Sequence, residues 1–331
     1  VNDIGEGSTA RSTLARFGLG TMAFASPAAD PAECLAVVHR AIDAGLTFID
    51  TADVYGQGAV ETLLGPAVRA RRDEIVLATK CGLPMGERRG LGADRVREAT
   101  EESLRRLGVE RIDLQQLHRP DPATPIEETL GAIGGLVGDG TIGAYGTSCF
   151  TAGMLAEVVA LGAEGVAPAP LSEQLPLSLL VRSREREVLP ACAALGVAAI
   201  VWSPLNGGWL TGKYGPDRQV PAGSRGSFAG SFVDPTDAAK AAVVPQLEAL
   251  AAESGLTLSV MALAWAAAQP GVSTVLIGAR TVEQLDALLP AAAVTLGADL
   301  QAAIDAVVAP GTTVDPRNDA WPDPPRLNRA G

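Results

Sequence analysis

Asp50, Tyr55, Lys80 and His118 are the side chains whose types and order point most directly to chemistry. Asp50 closes a short β-branched run at 47–49, with Tyr55 in the loop beyond it; Lys80 follows the run 75–79 and His118 the run 112–116. A phenol ordinarily ionises near pH ~10, too high to trade protons readily near neutrality. An adjacent ammonium lowers that value, and a carboxylate keeps the ammonium charged and aimed. Tyr55 is then a general acid tuned by Lys80 and Asp50, with His118 hydrogen-bonding the same substrate oxygen; such acid catalysis is worth roughly 10²–10⁴ in rate. A proton donor with no nucleophile beside it implies an attacking group borrowed from a cofactor, and hydride is the natural one. Singly, Asp50 can cap a turn, Tyr55 can pack its ring, Lys80 can face solvent and His118 can be structural. Jointly these explanations weaken, because a carboxylate, an ammonium and a phenol on one rim add nothing to a core.

For these groups to meet, the runs that carry them must be neighbouring strands. The chain alternates short β-branched runs with longer amphipathic segments, about eight times, with no linker-like shift in composition. Asp30-Pro31-Ala32-Glu33 and Thr124-Pro125-Ile126-Glu127 read as capping boxes, and Thr281 with Gln284 caps the last helix. Strict βα alternation implies a parallel sheet, and eight units imply a closed α/β barrel of the (β/α)8 TIM type, whose sites lie where strands end. The expectation is one domain over 1–331, with a core of about 15–310, an extension at 1–14 and a proline-rich tail at 311–331. Extra helices at 238–252 and 259–268 and a Gly-, Pro- and Ser-rich loop at 214–236, after strand 7, depart from the repeat. The tail is expected to pack as a cover or to fray, and not to be helical.

Composition removes other classes of function. With 38 acidic and 26 basic side chains the net charge is −12, the wrong sign for a nucleic-acid binder. Two histidines rule out a multi-histidine metal site, and four cysteines without a C-x-x-C pair favour a reducing, cytoplasmic setting. Residues 1–14 carry no apolar signal-peptide core. The uncharged stretch between Glu253 and Arg280 has an apolar heart, 260–268, shorter than the ~20 residues a bilayer span needs, so no membrane association is expected. Oligomeric state is not legible.

Phe48-Ile49-Asp50-Thr51-Ala52-Asp53-Val54-Tyr55-Gly56, Ala78-Thr79-Lys80 and Gln116-Leu117-His118-Arg119-Pro120-Asp121 resemble the aldo-keto reductase superfamily in order and spacing, over about 18–289. The resemblance implies a barrel that reduces aldehydes or ketones with NADPH, less often NADH. It carries the catalytic tetrad onto Asp50, Tyr55, Lys80 and His118. It assigns the nicotinamide carboxamide to Ser148, with Gln174, and puts Cys149 where the family usually has Asn. It assigns a ring stacked on nicotinamide to Trp202, and the pyrophosphate to the segment with Ser203, Pro204, Leu205, Gly207 and Lys213. Gly278, Arg280 and Gln284 fall at the adenosine phosphate, where a helix start is electropositive and Arg280 can pair with a 2′-phosphate. Segments 202–205 and 207–214 resemble the bacterial general reductase branch. Around the rim, Phe24, Arg119, Phe150, Trp209 and Trp321 are the expected walls of the pocket for a small-molecule carbonyl substrate.

Gly18-Leu19-Gly20-Thr21-Met22-Ala23 matches a dinucleotide fingerprint, but that motif must open a helix, and the helix signal here waits until Asp30. A first barrel strand with small residues is the better reading. Two other functions stay open at this level: a nicotinamide-binding regulatory subunit with little turnover, as in the channel-associated members of the family, and a phosphate-substrate isomerase or aldolase using Lys80 as a Schiff-base lysine.

Overall fold

The computed structural model describes residues 15–215, 218–227, 233–319 and 326–329. Its frame is eight parallel strands closed into a barrel in sequence order. They are β1 (Phe17–Gly20), β2 (Phe48–Asp50), β3 (Val76–Cys81), β4 (Ile112–Leu117), β5 (Ile142–Ser148), β6 (Ser172–Pro176), β7 (Ala198–Trp202) and β8 (Val272–Ile277). β8 pairs back on β1 through Phe17–Val275 and Leu19–Ile277, so no strand edge is left open.

Each strand has a two-residue period, and the barrel uses both faces. Inward-facing Phe48, Val76, Ala78, Leu114, Ala198, Ile200 and Leu276 form one apolar plug. Outward-facing Leu19, Ile49, Leu77, Tyr145, Leu175, Val201 and Val275 join the larger core beneath the helices. The same period puts Asp50 on the inward face with Phe48, Lys80 with Ala78 and Gln116 with Leu114, one step nearer the strand ends. Gly18 makes room for this plug: a Cβ there would lie 2.8 Å from the Phe48 ring. The chain after β1 runs through a 3-10 turn (Thr21–Ala25) before its first helix, as expected for a barrel strand and not for a dinucleotide loop.

The helices are α1 (Pro31–Asp43), α2 (Ala59–Ala70), α3 (Ala93–Leu107), α4 (Ile126–Gly138), α5 (Ala152–Ala163), α6 (Val188–Leu195), α7 (Ala238–Glu253), α8 (Leu258–Ala268), α9 (Val282–Leu288) and α10 (Ala298–Val307). α8 is buried from Val260 to Ala266, which accounts for its lack of charge, and no single described helix is long and apolar enough to cross a membrane.

The capping boxes are half right. Asp30 accepts from the Glu33 N–H as expected, but the Glu33 carboxylate leaves its own helix and accepts from Val282 N–H at 2.8 Å. At the second box the Thr124 hydroxyl donates to Asp121 instead, and α4 starts without a side-chain cap. Glu33 thus takes a tertiary partner, whereas Thr124 turns back to a residue three positions upstream. Helix α10 has no counterpart in the sequence reading, which ended the repeat at α9.

The tail is more structured than expected. Its segment 312–314 bonds along 180–182, a 3-10 turn forms at Pro316–Asn318, and Asn328 accepts from Ile126 N–H at the start of α4. Arg184–Asp319 at 2.8 Å and Lys240–Asp315 at 3.4 Å fasten it to the barrel.

Phe48→Ala empties the inner plug and is expected to cost about 3–5 kcal/mol, read as a lower urea midpoint with unchanged slope. Asp30→Ala removes only a cap and is expected to cost about 1 kcal/mol in the same assay.

Candidate active site

The strand ends deliver four titratable groups to one place. Lys80 Nζ, 1 % exposed, lies 2.5 Å from Asp50 Oδ1, 2.9 Å from the Thr51 carbonyl and 3.3 Å from the Tyr55 hydroxyl. The ammonium therefore has three partners and almost no exposed surface. Asp50 Oδ2 accepts from Gln116 Nε2 at 2.9 Å and Gln174 Nε2 at 2.8 Å, so one carboxylate ties together β2, β3, β4 and β6. His118, just past β4, meets the Tyr55 ring edge-on at a centroid distance of 6.0 Å. The loop that presents Tyr55 is anchored by Asp53 N–H, which donates to the Lys80 carbonyl.

Burial and charge set the protonation states. Burial disfavours the charge on Lys80, but Asp50 and Tyr55 reverse this and hold its pKa above the ordinary lysine value. Tyr55 departs from expectation. Lys80 pulls its pKa down, but burial outweighs that pull and Asp50 adds to it, so the phenol is raised overall and stays protonated. His118 is pushed well below the ordinary histidine value by burial, then by Lys80 and Arg119, and is a neutral imidazole. Its Nδ1 is buried and has no hydrogen-bond partner among the described residues.

A cavity of about 570 Å³ opens over this cluster, a size typical of small-molecule sites. Asp50, Tyr55 and His118 form part of its wall, as do Ser148, Gln174, Trp202, Ser203, Pro204, Leu205, Gly207, Lys213, Gly278, Arg280 and Gln284. The expected cofactor residues are thus brought together, with one exception. Cys149 is buried behind the wall, its Sγ 2.5 Å from Arg119 Nη1, in a left-handed backbone conformation (φ 61°).

At the start of α9 Thr281 caps Gln284 N–H as expected, but Val282 N–H is taken by the Glu33 carboxylate, leaving the Arg280 side chain as the cation at this end. Arg280 donates to the Gly223 carbonyl at 2.6 Å and so holds the long loop against the barrel.

The expected aromatic wall is corrected. Phe24, Phe150 and Trp209 do not line the cavity; they are buried in the core, where large rings remove the most apolar surface from water. Trp209 donates to the Asp234 carbonyl and braces the loop after β7. Arg119 does line the cavity, and Trp321 lies outside the described residues.

Sequence reasoning missed Gln116, although its spacing two residues before His118 marks an inward polar position. It also missed Arg225, a half-buried cation from the long loop that lines the cavity. Behind β2 and β3 lies a further unforeseen layer: Glu61 accepts from Thr79 and Arg106, and Asp53, pushed up to about 7 mainly by burial, faces Arg95 at 3.6 Å.

A closed parallel barrel with a phenol, ammonium, carboxylate and imidazole gathered at its strand ends defines the class, a TIM-barrel protein with a cluster of titratable side chains at the mouth of its sheet. The chain belongs to the aldo/keto reductase family, whose model matches residues 16–309, and that family is one of oxidoreductases. It is similar to the aldo-keto reductase YhdN of Bacillus subtilis, with 32% identity over 320 residues and 94% of each chain covered. It is also similar to the uncharacterized oxidoreductase YrpG of that organism, 32% identical over 301 residues (87% of this chain, 90% of the relative). A protein named probable voltage-gated potassium channel subunit beta from Arabidopsis thaliana is 34% identical over 269 residues, covering 77% of this chain and 80% of its own.

Glu173, on the outward face of β6, accepts from Thr147 Oγ1 and Phe150 N–H, yet burial pushes its pKa from 4.5 up to about 8. As pH rises from 4.5 toward 8 the unfolded chain releases this proton while the folded one keeps it, so folded stability falls. Glu173→Gln is expected to remove that penalty. Its advantage over the parent grows across this window by up to about 1.4 kcal/mol per pH unit and is level above it. Chemical denaturation at several pH values reads the effect.

Proposed function

We propose that this aldo/keto reductase family member reduces aldehyde or ketone carbonyls to alcohols, with NADPH preferred over NADH. The observation that carries the reading is Lys80 Nζ lodged between Asp50 and the Tyr55 hydroxyl on the wall of a cavity large enough for a small ligand. When bound, reduced nicotinamide supplies hydride to the carbonyl carbon. The chain's own residues handle the proton. Tyr55, kept as a phenol by burial, donates from its hydroxyl to the carbonyl oxygen. The Lys80 ammonium stabilises the phenolate that remains, and Asp50 keeps the ammonium charged and in place. Neutral His118, whose Nδ1 has no partner among the described residues, donates from Nε2 to the same oxygen and orients it. Solvent then returns a proton to Tyr55.

The cavity wall fits such a cofactor. Ser148 and the Gln174 carbonyl oxygen, whose amide nitrogen is engaged by Asp50 and Gln116, would hold the carboxamide. Trp202 would face the ring, and Ser203, Pro204, Leu205, Gly207 and Lys213 would take the pyrophosphate. Gly278, Arg280 and Gln284 would take the adenosine end, with the Arg280 guanidinium the group suited to a 2′-phosphate.

Loss of reduced-nicotinamide absorbance with a panel of aldehydes tests the reading. Turnover is expected, and Tyr55→Phe should lower kcat/KM by roughly 10²–10⁴ while cofactor binding persists. Cofactor binding with no turnover on any carbonyl contradicts it and favours a regulatory, sensing role. Arg280→Ala should weaken NADPH about tenfold or more and NADH little, as measured by fluorescence titration; equal weakening removes Arg280 from the choice of cofactor.

A further inference from the structure

The loop that carries Tyr55 is held from two sides. On the barrel side, Lys80 Nζ donates to the Thr51 carbonyl and Asp53 N–H donates to the Lys80 carbonyl. On the outer side it meets α3, where Arg95 and Arg106 stand about three turns apart and so share one face of the helix. Arg95 Nη2 lies 3.6 Å from Asp53 Oδ2, two residues before Tyr55. Arg106 Nε donates to Glu61 Oε2 at 2.7 Å, and its stem lies against Gly58, where a Cβ would be 2.8 Å from Arg106 Cδ. One helix thus grips the chain on both sides of the phenol.

The grip has something to work against. After Tyr55 the backbone passes through three left-handed residues, Gly56, Gln57 and Gly58, with φ of 59°, 54° and 90°. That conformation is unfavourable for a residue with a Cβ, so Gln57 keeps it only under constraint from its surroundings. Asp53 is fully buried and is not part of the cavity wall, and Arg95 is the one cation within ion-pair range of it among the described residues. The Arg95 guanidinium has no hydrogen-bond partner among the described residues and is steered by charge, from Asp53, from Glu102 at 3.7 Å and from Glu98 at 3.8 Å. Glu102 is shared with Arg88 and Arg106, and Glu98 is exposed, which leaves Asp53 as the buried carboxylate that Arg95 has to itself.

The charged and titratable groups that face Asp53 are Glu61 from α2, Arg95 and Arg106 from α3, Arg88 from the loop before α3 and the Cys81 thiol from β3. Burial and then Glu61 outweigh the pull of Arg95 and Arg106, and Asp53 is pushed up to about 7. Its charge is therefore present above neutrality and lost below it.

We propose that Asp53 and Arg95 form a positioning pair for Tyr55, whose charged state holds the 51–55 loop so that the phenol hydroxyl keeps its place between Lys80 and the substrate oxygen. The pair touches neither substrate nor cofactor, and its effect on rate rests on the carbonyl reduction argued above.

The test is the pH dependence of kcat for an aldehyde under saturating NADPH. In the parent, kcat should fall as pH drops through about 7, where Asp53 takes up its proton, while KM changes little. At a pH of about 8, Asp53→Asn and Arg95→Met should each lower kcat about tenfold or more, because a small displacement of the proton donor is costly. Both should leave the NADPH dissociation constant unchanged and lose the limb near 7. Since the two residues act as one, the double variant should be no slower than either single, and Arg95→Lys should recover part of the rate. A reading without substrate comes from amide hydrogen exchange: protection of the Asp53 and Tyr55 N–H groups, which donate to the Lys80 and Ala52 carbonyls, should drop below about 7 in the parent.

A parent kcat that is flat through this range, a limb that survives in Asp53→Asn, or losses that add in the double variant overturns the pair and leaves carbonyl reduction standing. A loss confined to KM does the same, by placing the effect on substrate binding instead of on Tyr55. If the variants do not fold, the parent's own pH profile and amide protection decide. If no aldehyde is reduced, carbonyl reduction fails, and amide protection that stays constant across this range overturns the pair independently.

Discussion

An ammonium sealed from water is the constraint on which the site depends. Lys80 is 1 % exposed, and a charge so placed persists only with close, well-aimed partners. Asp50 supplies the opposite charge, the Thr51 carbonyl a second acceptor and Tyr55 a third contact. The positions of all three follow from strand geometry. Lys80 and Asp50 lie on the inward faces of adjacent strands, and Tyr55 is returned to them by a loop pinned to the Lys80 carbonyl.

The same carboxylate links chemistry to architecture. Through Gln116 and Gln174 it reaches across the barrel to β4 and β6, so a group needed to hold the ammonium also clamps the mouth of the sheet. The apolar plug around Phe48 lies directly below and excludes water from underneath. In this dry setting electrostatic effects are large, and the balance between them is what matters. Lys80 alone would make Tyr55 more acidic, yet burial keeps the phenol loaded with its proton, ready to give it to an oxygen that begins to carry negative charge. His118 is neutral for related reasons, with burial and two neighbouring cations all opposing a second proton.

Much of this was legible before the coordinates. Parallel strands buried on both faces read as short β-branched runs, and a polar residue ending such a run stands out, which is why Asp50, Lys80 and His118 could be placed on one rim. Caps at Asp30 and Thr281 were equally visible, because they depend on residues three apart. What could not be read was competition from distant chain. Glu33 has a good local partner and takes a tertiary one, the N–H of Val282. Rings offered no direction: Phe24, Phe150 and Trp209 suit a pocket wall by type, yet their surface is worth more in the core. Gln116 was hidden because an inward polar residue becomes meaningful only once a carboxylate faces it. Arg225 was hidden because no periodicity governs the loop that carries it.

The central claim is that Tyr55 is a protonated phenol whose ionisation is governed by burial on one side and the Lys80 charge on the other. The chain has only three tyrosines, Tyr55, Tyr145 and Tyr214, so ¹³C NMR of their ring Cζ carbons can follow each one, with Tyr55→Phe making the assignment. The account predicts that the Tyr55 signal stays phenolic past the ordinary tyrosine value of about 10, and shifts to still higher pH in Lys80→Met. A Tyr55 signal that titrates below that value, or that ignores the loss of Lys80, would contradict it.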